Sequence, residues 1–265
     1  MTPRARIMGI LNATPDSFSD GGQWLNETAL GARIEQLLAE GADIIDVGGE
    51  SSRPFAEPVD VEEELARVLP AIRRIRQRSS IPIAIDTTRA RVAREAIASG
   101  ATMINDISAL GHDPEMIEVA GSFTGPIIIM HMRGTPGTMQ VAPVYGDVVA
   151  EINDFFAERI AWLEQQGISR SRLVVDPGIG FGKTLAHNLA ILRDVAAFKR
   201  HGCPVLIGHS RKSFLGQLLD VPLAERDWPT AMISALCARQ GADILRVHGV
   251  RETSRALRLM AALAS

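Results

Sequence analysis

Eight short runs of Ile, Val, Leu and Met punctuate the chain: Ile7–Leu11, Ile44–Gly48, Pro82–Asp86, Met103–Ile107, Ile127–Met132, Leu173–Asp176, Val205–Gly208 and Ile244–Val247. Most are continuously apolar rather than alternating, the pattern of parallel strands buried on both faces. Between them the period changes to that of a helix. Leu30, Ile34, Leu37 and Leu38 mark one apolar stripe; Val61, Leu65, Val68 and Leu69 mark another. Gly41, Gly100, Gly167 and Gly241 follow helical segments as left-handed caps. A weak echo, Gly41-Ala42-Asp43, Gly100-Ala101-Thr102 and Gly241-Ala242-Asp243, leads each time from a helix end straight into a strand. Repeated βα units with short returns predict an α/β fold, and eight of them without a composition break predict one closed (β/α)8 TIM barrel spanning 1–265.

Composition narrows the partners. The 265 residues are 46% apolar and 22% charged, ordinary for a globular chain. A net charge of −3 offers no attraction for nucleic acid, so none is expected as a partner. Cys203 and Cys237 lack ligand spacing and sit in apolar surroundings, which suits reduced packing residues and a cytoplasmic location. Arg4, Arg6 and the apolar run after them resemble a weak signal peptide, but the run is too short for one. No stretch approaches the roughly 20 apolar residues that span a bilayer, so no membrane is expected either.

Polar groups collect where the strands end. Asn12 closes the first run, Glu50-Ser51-Ser52-Arg53 follows the second and Asp86 ends the third. Asn105-Asp106, His131 and Asp176 belong to the next three, Ser210-Arg211-Lys212 follows the seventh, and Arg246 and His248 belong to the eighth. In a barrel these C-terminal ends meet at one rim, where active sites form. Asp86, Asn105, Asp176 and Lys212 are therefore read as functional. Asp46, mid-strand, is read as a satisfied core or supporting aspartate, and Asp106 as equally suited to forming a turn. His112, His187 and His201 are expected at the surface, and His209 is ambiguous. The stretch Gly178-Ile179-Gly180-Phe181-Gly182-Lys183-Thr184 imitates a phosphate loop, but Pro177 stands where that pattern needs its first glycine. It reads better as a glycine-rich loop that lets backbone approach a flat ligand.

Taken in order, Gly9–Asn12 with Thr14–Gly22, Gly48–Pro54, Ile85-Asp86-Thr87, Asn105-Asp106-Ile107, Asp176–Lys183, Ser210–Ser213 and Arg246-Val247-His248 closely resemble the dihydropteroate synthases, a pterin-binding family. The resemblance implies a transferase of folate biosynthesis. It would join 6-hydroxymethyl-7,8-dihydropterin diphosphate to 4-aminobenzoate, giving 7,8-dihydropteroate and diphosphate. It further implies Asp86, Asn105, Ile107, Asp176 and Lys212 in the pterin pocket. Arg246, His248 and Ser52 would bind the diphosphate, and Asn12 would bind Mg²⁺. Phe18, Arg53, Pro54, Phe181 and Ser210 would shape the substrate loops and the aminobenzoate pocket. Catalytic roles fall to Lys212, Arg246, His248, Asp20 and Arg53. The residue types suit this chemistry, since a pterin edge mixes N–H donors with a carbonyl and so needs carboxylates, an amide and a cation. No nucleophile–base pair is evident, which fits dissociative (SN1-like) departure of diphosphate. A homodimer and sulfonamide susceptibility are also implied.

Three positions depart from the family pattern: Ser52 for threonine, Phe55 for glycine and Gly249 for aspartate. Phe55 is expected to alter the ratio of sulfonamide to aminobenzoate affinity, and equal ratios in wild type and Phe55→Gly would dispose of that idea. The same residues leave room for a pterin-dependent methyltransferase, an aldolase using Lys212 as a Schiff-base amine, or a non-catalytic pterin-binding barrel.

Overall fold

The computed structural model describes residues 5–13, 23–50, 59–135, 137, 139 and 143–264. Its strands are β1 (Arg6–Asn12), β2 (Ile44–Gly48), β3 (Ile83–Asp86), β4 (Met103–Asp106), β5 (Ile127–Met130), β6 (Leu173–Asp176), β7 (Leu206–Ile207) and β8 (Ile244–Val247). Each apolar run forms one strand. They pair in parallel in the order β6-β5-β4-β3-β2-β1-β8-β7. A parallel bridge between Val175 and Val205 closes the ring. β5 stops two residues before its run does, and β7 is likewise two residues shorter than its run. Pro204, just ahead of it, has no N–H and serves the ladder as an acceptor alone, from Val175 N at 2.9 Å.

The helices are α1 (Gln23–Glu40), α2 (Val61–Arg76), α3 (Ala90–Ala98), α4 (Met116–Ser122), α5 (Val148–Gln165), α6 (Leu185–Arg193), α7 (Ser213–Leu219), α8 (Asp227–Arg239) and α9 (Val250–Ala264). Two of them, α7 and α8, fill the connection from β7 to β8, one more than a bare βα repeat provides. Local chemistry starts and stops them. Asp60 caps α2 by accepting from Glu63 N at 2.8 Å. Glu62, Glu63 and Glu64 occupy its first turn and Arg73, Arg74 and Arg76 its last, each complementing the helix dipole. Gly41 and Gly100 adopt φ of +92° and +113°, so the expected left-handed caps are present.

The Gly-Ala echo has a structural purpose. In each copy the third residue accepts from a backbone N–H of a neighbouring strand: Asp43 from Ile7 at 2.8 Å, Thr102 from Ile83 at 3.1 Å and Asp243 from Val205 at 2.6 Å. These side chains satisfy donors at the bottom of the barrel, where the ladder has not yet begun.

Alternation along the strands sorts the core into two layers. Residues such as Ile45, Val47, Ile85, Ile104, Ile129 and Leu245 face the helices and join the main core. Their neighbours face the barrel axis. There Met8, Ile44, Ala84, Met103, Ile128, Val174, Leu206 and Ile244, one from each strand, form a separate buried apolar tier.

Candidate active site

Two residues beyond that apolar tier, the pleat brings every strand back to the axis. The positions reached are Ile10, Asp46, Asp86, Asn105, Met130, Asp176, Gly208 and Arg246. One more step of two reaches Asn12 on β1, and Ile107, Met132, Ser210 and His248 just past the ends of β4, β5, β7 and β8. An apolar plug thus carries a charged tier, and the charged tier carries a rim.

Arg246 is the centre of the charged tier. Its Nε and Nη2 meet Asp46 Oδ2 at 2.7 and 2.6 Å, and Nη2 also reaches Asp86 Oδ2 at 2.6 Å. Asn105, in register with Asp86 on the next strand, donates through Nδ2 to Asp46 Oδ1 at 3.2 Å. Asp46 therefore orients both a cation and an amide, the supporting one of the two parts read for it from the sequence. Burial works against the charge of Arg246, but Asp46 and then Asp86 outweigh it and hold the guanidinium protonated. Burial pushes the Asp86 carboxyl up to about 7 even though Arg246 opposes the shift.

Across the mouth, Asp176 accepts from Gly178 N at 2.8 Å, and burial raises its carboxyl against the pull of Lys212. Lys212 donates to the Ile179 carbonyl and lies 4.4 Å over the Phe181 ring. Burial lowers its ammonium to about 7, with Asp176 resisting. Beside these groups Met130, Met139 and Phe181 form a small apolar cluster with Ile107 and Met132 packed on it, a flat greasy wall next to hydrogen-bonding edges.

The glycine-rich loop departs from its expected use. A Cβ at Gly178, where φ is +69°, would lie 2.0 Å from the His131 carbonyl oxygen, and one at Gly182 would lie 2.4 Å from that of Arg133. At these two positions the close approach is to the chain's own backbone, not to a ligand. Lys183 pins the loop there, with Nζ 3.0 Å from His131 Nδ1, 3.3 Å from its carbonyl and 3.0 Å from that of Phe181. Those contacts account for His131 and Lys183 as structural groups.

At the rim, Asn12 is half-buried at the end of β1. Ser210 Oγ lies 3.0 Å from His248 Nδ1, and Arg33 donates to the His248 carbonyl at 2.9 Å. Asp227 of α8 holds Arg211 with two 2.6 Å hydrogen bonds. A Cβ at Gly249 would come within 3.0 Å of that same carboxylate, so Asp227 supplies negative charge beside the position where the family pattern has aspartate.

Other expectations resolve plainly. Asp106 folds back on Ser108, accepting from N at 2.7 Å and Oγ at 2.6 Å, so it builds a turn. Glu50 pairs with Arg89 at 2.9 Å. His112 is exposed. His187 caps α6 at the surface by accepting from Thr184 N, whereas His201 is half-buried against Asn153 at 2.8 Å. His209 is fully buried between Thr230 O and Ser234 Oγ. Phe18, Asp20, Ser52, Arg53, Pro54 and Phe55 lie outside the described residues. The sequence reading missed Met130, Met139, Arg33 and Asp227. A count of two from the apolar tier finds Met130; no local signal marks the other three.

Residues 8–248 match a family described as pterin binding enzyme. The chain is 48% identical over 259 residues to dihydropteroate synthase of Escherichia coli strain K12, covering 98% of this chain and 92% of that one. It is similar to the Yersinia pestis dihydropteroate synthase solved with a sulfonamide drug, with a TM-score of 0.93, 42% identity and coverage of 98% and 94%. It is similar also to the Xanthomonas albilineans dihydropteroate synthase in complex with 7,8-dihydropteroate, at a TM-score of 0.90, 41% identity and coverage of 99% and 94%.

Proposed function

The chain belongs to the family of pterin-binding enzymes, and from that we propose that it is a transferase with dihydropteroate synthase activity. It joins 6-hydroxymethyl-7,8-dihydropterin diphosphate to 4-aminobenzoate, forms 7,8-dihydropteroate and releases diphosphate. The observation that carries this reading is the charged tier with the start of α7 above it, where Asp86, Asn105, Asp176 and Arg246, and then Lys212, face one mouth beside the Phe181 wall. The polar groups match the edge of a pterin, and the wall matches its face.

The reaction we propose is dissociative. The C–O bond to diphosphate breaks first and the electron pair leaves with the diphosphate. The dihydropterin nitrogens delocalise the charge on the methylene carbon. The arylamine lone pair then forms the C–N bond, and the amine proton passes to water or to the departing anion. Arg246 and His248 stabilise the developing negative charge, while Lys212 and Asp176 keep the ring in place.

A hard cation fits the rim. Among the described residues no group of three or more His, Cys, Asp or Glu could hold a metal, so a protein cage is not on offer there. Asn12 presents a single neutral amide oxygen, which suits Mg²⁺ because that ion keeps most of its waters and takes substrate phosphates as ligands. When bound, Mg²⁺ would neutralise part of the diphosphate charge.

Sulfonamides are proposed to compete for the aminobenzoate pocket, as the drug complex of the Yersinia protein suggests. Buried free thiols at Cys203 and Cys237 support a cytoplasmic location. Among the described residues no helix is long and apolar enough to cross a membrane. A homodimer is proposed through the outer face of α8, where Trp228, Met232 and Leu236 repeat every four residues and are 66%, 49% and 58% exposed. Light scattering on Met232→Glu/Leu236→Glu checks the dimer. The reaction itself is tested by mixing the two substrates with the protein and Mg²⁺. Stoichiometric diphosphate and dihydropteroate are expected, and no diphosphate from both substrates together overturns the assignment.

A further inference from the structure

Ser210, just past β7, and His248, just past β8, share two contacts through one oxygen. The backbone N–H of His248 donates to Ser210 Oγ at 3.1 Å, and the same oxygen lies 3.0 Å from His248 Nδ1. Ser210 is only 6% exposed. A hydroxyl has one proton to give, and the backbone N–H, which can only donate, already occupies a lone pair. Among the described residues Nδ1 is the one acceptor in reach of that proton. Were Nδ1 itself protonated, Oγ would receive two N–H groups and its own O–H would be buried without an acceptor, an unfavourable arrangement.

We infer that Ser210 is a positioning residue that locks His248 in its Nε2–H tautomer, leaving a neutral N–H donor for the anionic tail of the substrate. The surroundings keep the ring uncharged: burial first, then Arg211 and Arg246, push it down to about 3, with Asp227 offsetting them in part and Arg33 adding to them. The cationic work at the rim then falls to Arg246, and His248 adds direction rather than charge. Ser210 acts through His248, whatever else its hydroxyl touches. The functional half of this inference rests on the diphosphate reading above; the tautomer does not.

Nitrogen-15 NMR of histidine-labelled protein separates the two halves, with His248→Gln assigning the signal. Wild type is expected to show a pyridine-like Nδ1 and a pyrrole-like Nε2. Ser210→Ala should mix the tautomers, and Ser210→Thr should restore the wild-type pattern. A pyrrole-like Nδ1 in wild type, or ring signals unmoved in a folded Ser210→Ala protein, overturns the inference. In kinetics Ser210→Ala should raise KM for the pterin diphosphate roughly 5- to 10-fold, the worth of about one hydrogen bond, and by more than it raises KM for 4-aminobenzoate. A tautomer shift with both KM values unchanged refutes the role in substrate binding and counts against the diphosphate site itself.

Discussion

The two inner tiers of the barrel stand one pleat apart on the same eight strands, and they are built on opposite rules. In the lower tier all eight inward residues are apolar and every one is buried. In the upper tier three of eight are carboxylates, and one arginine ties two of these together. Burying an apolar side chain stabilises by roughly 1.5–3 kcal/mol, whereas a buried ion pair roughly breaks even against its own desolvation. The lower tier therefore holds the barrel shut, and the upper tier contributes little to stability but carries groups with strongly shifted proton affinities. Asp86 and Lys212, both displaced to about 7 by burial, belong to that upper region and have no counterpart below.

Substitutions can test whether the tiers are separable. The largest effect is expected from Asp176→Ala in the upper tier. Unpairing buried donors on the substrate and removing the negative charge that Lys212 feels should lower kcat/KM by roughly one to several decades, with the melting temperature moving only a few degrees. Near-normal steady-state kinetics would remove Asp176 from the site. Ile244→Ala, directly below Arg246, should do the reverse. It opens a cavity worth about 2–5 kcal/mol, lowering the melting temperature by roughly 5–20 °C, while kcat/KM per folded molecule stays within about threefold. Lost activity in a fully folded Ile244→Ala protein would show that the tiers are one unit.

Asp46→Asn sharpens the boundary, because it keeps the shape and removes one of the two charges on Arg246. A loss of about tenfold in kcat/KM for the pterin diphosphate is expected, the equivalent of about 1.4 kcal/mol. Unchanged kinetics would mean that Asp86 orients Arg246 alone. The smallest effect concerns acidity. Folded Asp86 holds its proton up to about 7, while the unfolded chain releases it near 3.8. Between those values the native state binds more protons, so the contribution of Asp86 to stability falls as pH rises and levels off above about 7. Denaturant melts of wild type and Asp86→Asn across that window should therefore diverge, wild type losing stability relative to the variant. Parallel profiles would place the Asp86 carboxyl in its ordinary range.

Much of this architecture is written locally. Strands buried on both faces must be apolar throughout, so the eight runs reveal themselves, and the chain reverses at glycines because φ near +90° excludes most other residues. The rim could be anticipated for the same reason: a polar group at the end of an apolar strand has few other places to go. Asp86, Asn105, Asp176, Lys212 and Arg246 were legible on that ground. Asp46 is harder, since one aspartate inside an apolar strand looks alike whether it supports a site or merely satisfies itself. Its partner Arg246 lies 200 positions away, and only ring closure brings them to 2.7 Å. Likewise the hydroxyl of Ser210 acquires its proton acceptor from a strand 38 residues on. Backbone preference and burial act residue by residue and leave their mark in the sequence. Pairing of charges and choice of tautomer depend on distances that exist only once the barrel has closed.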